Sequence, residues 1–230
     1  MRLSKALSEA GIASRRAAEV LITEGKITVN GKKAKLPQEQ VDWKKDQIFF
    51  KGKRVTPQKR AYFVFNKPKN VVCSCLRKDR EKIVLDYFPS HLRLFPVGRL
   101  DKNTTGLLLL TTDGDFCQKV IHPSKDIEKE YHLTVENLTP EKLEKMKKPI
   151  FIEGRRVRPV KVFKLNKYSL SVVVKEGKKH EVRLMAKKAD LKLVSLKRVR
   201  IGSFRLGRLP EGMFRELSEK EGKKIFALSS

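Results

Sequence analysis

Four consecutive leucines, Leu107 to Leu110, constrain this chain more than any other stretch. Gly106 precedes them, and Thr111-Thr112-Asp113-Gly114 follows. A short apolar run bounded by glycine and by turn residues reads as a buried central strand. Just before it lies Gly98-Arg99-Leu100-Asp101-Lys102-Asn103-Thr104-Thr105, a polar loop with one carboxylate, Asp101. The stretch therefore predicts an acid on a loop that a rigid core strand anchors, which is where a reactive group is well placed. A second reading stays open, in which Asp101 only caps a turn.

Charge indicates what such an acid would meet. The 230 residues hold 53 Lys and Arg against 26 Asp and Glu, a formal net charge of +27. Such a surface attracts a polyanion or an anionic membrane. No apolar run reaches the roughly 18 residues of a spanning helix. The N-terminus, Met1-Arg2-Leu3-Ser4-Lys5, opens into a folded pattern without an apolar signal region. The reading is a cytoplasmic protein whose partner is nucleic acid, not membrane. Cys73, Cys75 and Cys117 are an odd number for an intracellular chain, where disulfides are not expected. A zinc site would need a second pair of ligands, so no metal is expected. Cys73 and Cys75 alternate in an apolar run, which puts both on one face of a strand as packing residues.

Leu3, Ala6, Leu7 and Ala10 stand at helical spacing, with Gly11 ending the helix. Ser14 is an N-cap for a second helix with Ala17, Ala18, Leu21 and Ile22 on its buried side. Asn30-Gly31 then signals a hairpin, and Val41, Ile48, Phe49, Phe50 and Val55 complete a small sheet. Arg15 and Arg16 stand at the positive end of the second helix, where phosphate is favoured. Residues 1–60 carry 15 basic and 6 acidic side chains, net +9. Residues 56–60 read as a linker.

A second unit begins with the apolar strand 61–65, followed by Asn66-Lys67-Pro68 and by Asn70, the residue other than glycine that best tolerates a left-handed backbone. A strand is predicted after Asn70, and a short helix or turn over 83–88. Thr112 or Asp113 caps a helix that His122-Pro123 stops. Residues 129–135 alternate as a strand. Thr139-Pro140 opens a helix. Gly154-Arg155-Arg156 marks a basic turn between two strands, and 170–174 is another strand. Val182, Met185, Ala186 and Ala189 share a buried helical face, beside which Arg183 can reach inward. Residues 191–194 and 199–201 read as two strands, and Ser218-Glu219-Lys220-Glu221 is a capping box for a last helix. Residues 177–208 hold 11 basic and 2 acidic side chains, net +9.

Arg2-Leu3-Ser4-Lys5-Ala6-Leu7, Ala13-Ser14-Arg15-Arg16-Ala17, Glu24-Gly25-Lys26-Ile27-Thr28-Val29-Asn30-Gly31 and Lys35 resemble the small RNA-binding domain named after ribosomal protein S-four. The resemblance implies an RNA-binding domain over 1–57, whose second helix and hairpin grip structured RNA. Arg15, Arg16, Lys26, Lys32 and Lys35 are then its candidate RNA contacts.

From residue 61 on, the sequence resembles the pseudouridine synthase family, in the branch that modifies bacterial ribosomal RNA. The matches are Asn66-Lys67-Pro68, Gly98-Arg99-Leu100-Asp101 with Thr105 to Gly114, Lys129-Glu130-Tyr131, and Glu176-Gly177 with Glu181-Val182-Arg183. The resemblance implies an α+β fold with a large, mostly antiparallel sheet over 61–230. It implies isomerisation of a uridine in ribosomal RNA, or in a pre-ribosomal particle, by a monomer that needs neither cofactor nor metal. Asp101 would act at the ribose of a flipped-out uridine, by attack or by proton removal. Arg183 would keep it company as a cation, and Tyr131 would stack on the base. Arg99 would fix the loop or fill the space left by the base, and Lys67 would join the RNA contacts. Two positions depart from the branch. Asn70 stands where many relatives have glycine, and Leu184 where a second basic residue is usual.

Two other readings use the same basic surface. One is a non-catalytic ribosomal RNA-binding or ribosome-assembly factor, which leaves Asp101, Tyr131 and Arg183 without a role. The other is a DNA-binding helix-turn-helix over residues 2–24, against which the Asn-Gly hairpin argues.

Overall fold

Turn chemistry sets the first sheet. The computed structural model describes residues 1–175, 177–178 and 180–227, with the backbone alone at Pro123. Asn30 and Gly31 both take positive φ, 50° and 79°. This is what a two-residue hairpin turn of the primed type requires. The turn joins β1 (Ile27–Val29) to β2 (Lys32–Lys33). With β3 (Ile48–Phe50) and β4 (Lys53–Arg54) they form an antiparallel sheet in the order β2-β1-β3-β4. Two helices precede it, α1 (Leu3–Glu9) and α2 (Arg15–Thr23). The Ser14 hydroxyl caps α2 by accepting from the Ala17 amide at 3.2 Å. Leu3, Leu7, Ile22, Ile27 and Ile48 are fully buried between helices and sheet. Ala17, expected on the buried side of α2, is exposed, and Ala18 and Ile22 supply the contact. These elements belong to one compact unit, Met1–Ala61 with His91–Arg93 and Thr112–Gly114.

The second compact unit holds Tyr62–Ser90, Leu94–Thr111 and the chain from 115 onward. Its elements run β5 (Tyr62–Lys67), β6 (Phe95–Val97), β7 (Thr105–Thr111), α3 (Gly114–Ile121), β8 (Lys129–Val135), α4 (Pro140–Lys147), β9 (Ile150–Ile152) and β10 (Arg155–Val157). They continue with β11 (Lys161–Asn166), β12 (Ser169–Val174), α5 (Glu181–Lys188), β13 (Leu193–Ile201), β14 (Phe204–Arg205), β15 (Phe214–Glu216) and α6 (Glu219–Phe226). Among the described residues, nine strands form one sheet with the order β11-β12-β8-β13-β7-β5-β15, with β14 on β13 and β6 on β7. β9 and β10 form a separate two-stranded ribbon. The fold is thus α+β with a mostly antiparallel sheet. Among the described residues no helix is long and apolar enough to cross a membrane.

The leucine strand is β7, and Leu107 to Leu110 are buried on both faces. β5 pairs with it antiparallel, while β13 runs parallel to its first residues. Gly106 is required where β7 and β13 meet. Its φ is +101°, and a Cβ there would stand 2.2 Å from the Arg198 carbonyl oxygen. No side chain fits such an approach.

Three expectations change. The two strands expected at 191–194 and 199–201 are one nine-residue strand, β13, which starts at Leu193 and whose pairing with β8 shifts register twice. Tertiary pairing carries the strand through Ser195-Leu196-Lys197-Arg198, where the sequence pattern shows a break. The strand predicted after Asn70 is reduced to an isolated bridge from Val72 to Ile83. Cys73 and Cys75 therefore do not share a strand face, and Cys75 is exposed. Glu176, part of the Glu-Gly match, lies outside the described residues.

Candidate active site

The loop between β6 and β7 is a tight turn. The Asp101 carbonyl accepts from the Thr104 amide at 3.0 Å. Asp101 thus closes a turn with its main chain, and its side chain is left for other partners. Arg183 Nε donates to Asp101 Oδ2 at 3.3 Å. Arg183 Nη2 donates to the Thr104 hydroxyl at 2.9 Å. The guanidinium therefore holds two points of the turn at once, a fixed geometry that a lysine ammonium could not reproduce. Both side chains keep about a third of their surface, with Asp101 33% and Arg183 30% exposed. On the other oxygen, His180 Nε2 lies 3.4 Å from Asp101 Oδ1. His180 precedes α5 with φ 58°, in the left-handed region.

The loop is braced from beneath. Lys67, at the end of β5, is fully buried. Its ammonium donates to the carbonyls of Pro68 (2.9 Å), Val71 (2.8 Å) and Lys102 (3.2 Å). Burial pulls this ammonium down to about 8, against Cys73, Asp101 and Glu211, which act to raise it. Lys67 was expected to contact RNA; the structure corrects this, because a fully buried group with three carbonyl partners faces no solvent. Asn70 takes φ 64°, and its amide donates to the Lys102 carbonyl at 2.9 Å. Asparagine is the residue other than glycine that best tolerates that left-handed backbone. The Leu100 amide donates to Cys73 Sγ at 3.3 Å, and burial pushes the Cys73 thiol up.

Asp101, Thr104, Arg183, His180, Tyr131 and Arg99 all line one cavity of about 690 Å³. Tyr131 reaches it from the middle of β8, with only 8% of its surface exposed. Its neighbours Glu130 and His132 point to the opposite face of the sheet. Glu181, the other carboxylate of the lining, is tied down: it accepts from the Gly177 and Lys178 amides at 2.7 and 2.8 Å. Among the described residues no group of three or more His, Cys, Asp or Glu side chains is arranged to hold a metal ion. The cavity offers one partly exposed carboxylate, a guanidinium to balance it, and an aromatic wall. That set can hold a planar, polar ring beside an acid.

Sequence reasoning brought together Asp101, Arg183 and Tyr131 across 82 positions, and the structure places all three at this cavity. Arg99 is exposed and lines it too. Arg15, Arg16, Lys26, Lys32 and Lys35 are exposed in the other unit. Sequence reasoning missed Thr104 and His180. Thr104 lies inside the Asp101 motif and could have been noticed as the fourth residue of the turn. No local pattern marks His180, whose position depends on how α5 enters.

A family model described as RNA pseudouridylate synthase matches residues 61–188, and one described as the S4 domain matches residues 1–48. The chain is 42% identical to the chloroplast protein SVR1 of Arabidopsis thaliana, over 97% of this chain and 60% of that longer protein. It is 37% identical to ribosomal large subunit pseudouridine synthase B of Bacillus subtilis, over 99% of this chain and 96% of the relative. A crystal structure of a pseudouridylate synthase superposes with a TM-score of 0.70 at 30% identity, covering 98% of this chain and 99% of that one.

Proposed function

This chain belongs to the RNA pseudouridylate synthase family, and we propose that it isomerises a uridine of ribosomal RNA to pseudouridine at the Asp101 cavity. The substrate class is drawn from relatives named for the large ribosomal subunit and from the charge of +27. In this isomerisation the N1–C1′ bond of uridine breaks and a C5–C1′ bond forms. N1 gains a proton and C5 loses one, so atoms balance without a redox partner. Asp101 acts at the ribose, by attack on the sugar or by removing a proton from it. Arg183 holds the carboxylate in place and balances its charge. Tyr131 lies against the uracil ring. The target base leaves its stack to reach the cavity, and Arg99 stands on the rim where it can occupy the vacated space.

The single observation that carries this reading is the Arg183–Asp101 contact at 3.3 Å inside a cavity that Tyr131 also lines. We take residues 1–57 as the RNA-binding domain, with Arg15, Arg16, Lys26, Lys32 and Lys35 on phosphates, and 61–230 as the catalytic domain. RNA affinity then falls steeply as salt rises. Tritium release from ribosomal RNA labelled at uridine C5 tests the reaction. The expected result is release by the wild type and none by Asp101→Asn, with RNA binding retained. Binding without release by the wild type on any ribosomal RNA fragment would establish the assembly-factor reading instead.

A further inference from the structure

We propose that the β9–β10 ribbon is a second RNA contact, which stacks an unpaired base on Phe151 and holds the adjoining phosphates with Arg156 and Arg158. The inference rests on RNA as the substrate but not on the chemistry at Asp101. Phe151 is the second most exposed large apolar side chain described, with 73% of its surface in solvent. It sits in a strand whose neighbours Ile150 and Ile152 are buried, at 5% exposure each. Those neighbours fix the backbone, so alternation forces Phe151 outward. The register pairs Phe151 directly with Arg156, and Ile150 with Val157, which is also buried. Phe151, Arg156 and Arg158 therefore share the outer face of the ribbon, with Arg158 just beyond β10.

The turn that joins the strands is short. Glu153 and Gly154 both take positive φ, 49° and 74°, the primed hairpin geometry again. Arg155 stands at the tip, and Glu153 is the one acid in this segment. Among the described residues Arg155, Arg156 and Arg158 make no ion pair or side-chain hydrogen bond, and no ring or cation packs on Phe151. An exposed aromatic beside unpaired arginines matches what single-stranded nucleic acid binds: a flat face for a base and cations for its backbone. A duplex would not offer the base, because the A-form major groove is too deep and narrow to be read. The ribbon also packs on α5, the helix that carries Arg183. Leu184, on α5, is 39% exposed.

The test compares full-length Phe151→Ala, Phe151→Leu and Phe151→Tyr with the wild type, on ribosomal RNA for KM and kcat and on an oligouridylate for direct binding. Phe151→Ala and Phe151→Leu are expected to weaken oligouridylate binding, and to raise KM, by about tenfold, with the loss in KM and not in kcat. Phe151→Tyr, which keeps the flat ring, restores both. Arg156→Gln with Arg158→Gln lowers the slope of log affinity against log salt by about 0.7 per arginine. Tyr168→Ala removes another exposed aromatic of the same unit and serves as the control. If all ribbon variants match the wild type on naked RNA, the proposal is overturned, including in favour of a protein partner for this face. If the wild type makes no pseudouridine but Phe151→Ala still weakens oligouridylate binding, the reaction assignment fails and the ribbon stands.

Discussion

Two arginine–carboxylate pairs lie near the same point of one strand, on opposite faces of the sheet, and they differ in almost every respect. Around Tyr131 the cavity holds Asp101 and Arg183, 3.3 Å apart and each about a third exposed. One residue earlier in β8, Glu130 points the other way and accepts from Arg200 Nε at 2.7 Å, with both side chains 6% exposed. Glu130 also accepts from the Ser171 hydroxyl at 2.9 Å, and lies 3.3 Å from His132 and 3.4 Å from Arg205. Burial pushes the Glu130 carboxyl up, but the hydrogen bonds of Arg200 and Ser171 and the charges of Arg205 and Arg200 outweigh it and hold it low. Glu130 has its lone pairs filled and locks β8, β12 and β13 together. Asp101 has a neighbour on each oxygen but keeps a third of its surface exposed. A carboxylate meant for chemistry needs that access, and one meant for structure is enclosed by its partners.

The comparison can be broken first at Asp101. Asp101→Asn is expected to lower pseudouridine formation by more than about a thousandfold, while the urea midpoint of unfolding stays near the wild type. A large loss of stability would mean that the open pair is structural after all. The complementary experiment is Glu130→Ala. Removing one partner of a buried pair costs about 3–5 kcal/mol, so denaturant unfolding should show a loss of that order. Activity per folded molecule should fall far less than in Asp101→Asn.

Arg183→Lys sharpens the difference. The charge stays, but one ammonium cannot hold both Asp101 and Thr104. We expect kcat to fall by about tenfold with little change in stability. A drop as large as that of Asp101→Asn would give the guanidinium a role beyond positioning.

The smallest effect concerns acid stability. Arg215 donates to both oxygens of Glu221, at 2.8 and 2.7 Å, and Ser218 adds to the set. This draws the Glu221 carboxyl from an ordinary 4.5 down to about 2. A lowered folded value means that the stabilisation is fully present above about 4.5 and is lost as pH falls towards 2. Glu130 acts in the same direction. Urea midpoints measured between pH 5 and 2 should therefore fall with acid, and Glu221→Gln should flatten the fall. Arg215 is 40% exposed, so solvent keeps this effect modest.

What the sequence alone determined is whatever depends on near neighbours along the chain. The Asn30-Gly31 turn, the Ser14, Thr139 and Ser218 caps, the leucine strand and the left-handed Asn70 follow from backbone sterics and period, and each appears where it was read. The meeting of Asp101 with Arg183 was legible too, but only through a resemblance, since no local rule joins residues 82 positions apart. Tertiary structure alone decided the rest. A lysine in a motif gives no sign that three carbonyls will close over it, so Lys67 read as a surface contact and is a buried brace. Ser195 to Arg198 look like a break between strands, yet pairing with β8 carries β13 through them. His180 lies 3.4 Å from Asp101 at the entry to α5, a meeting of residues 79 positions apart that no local pattern announces. Steric preferences act within a few residues and can be read from the chain, whereas burial and long-range pairing depend on what the rest of the molecule brings close.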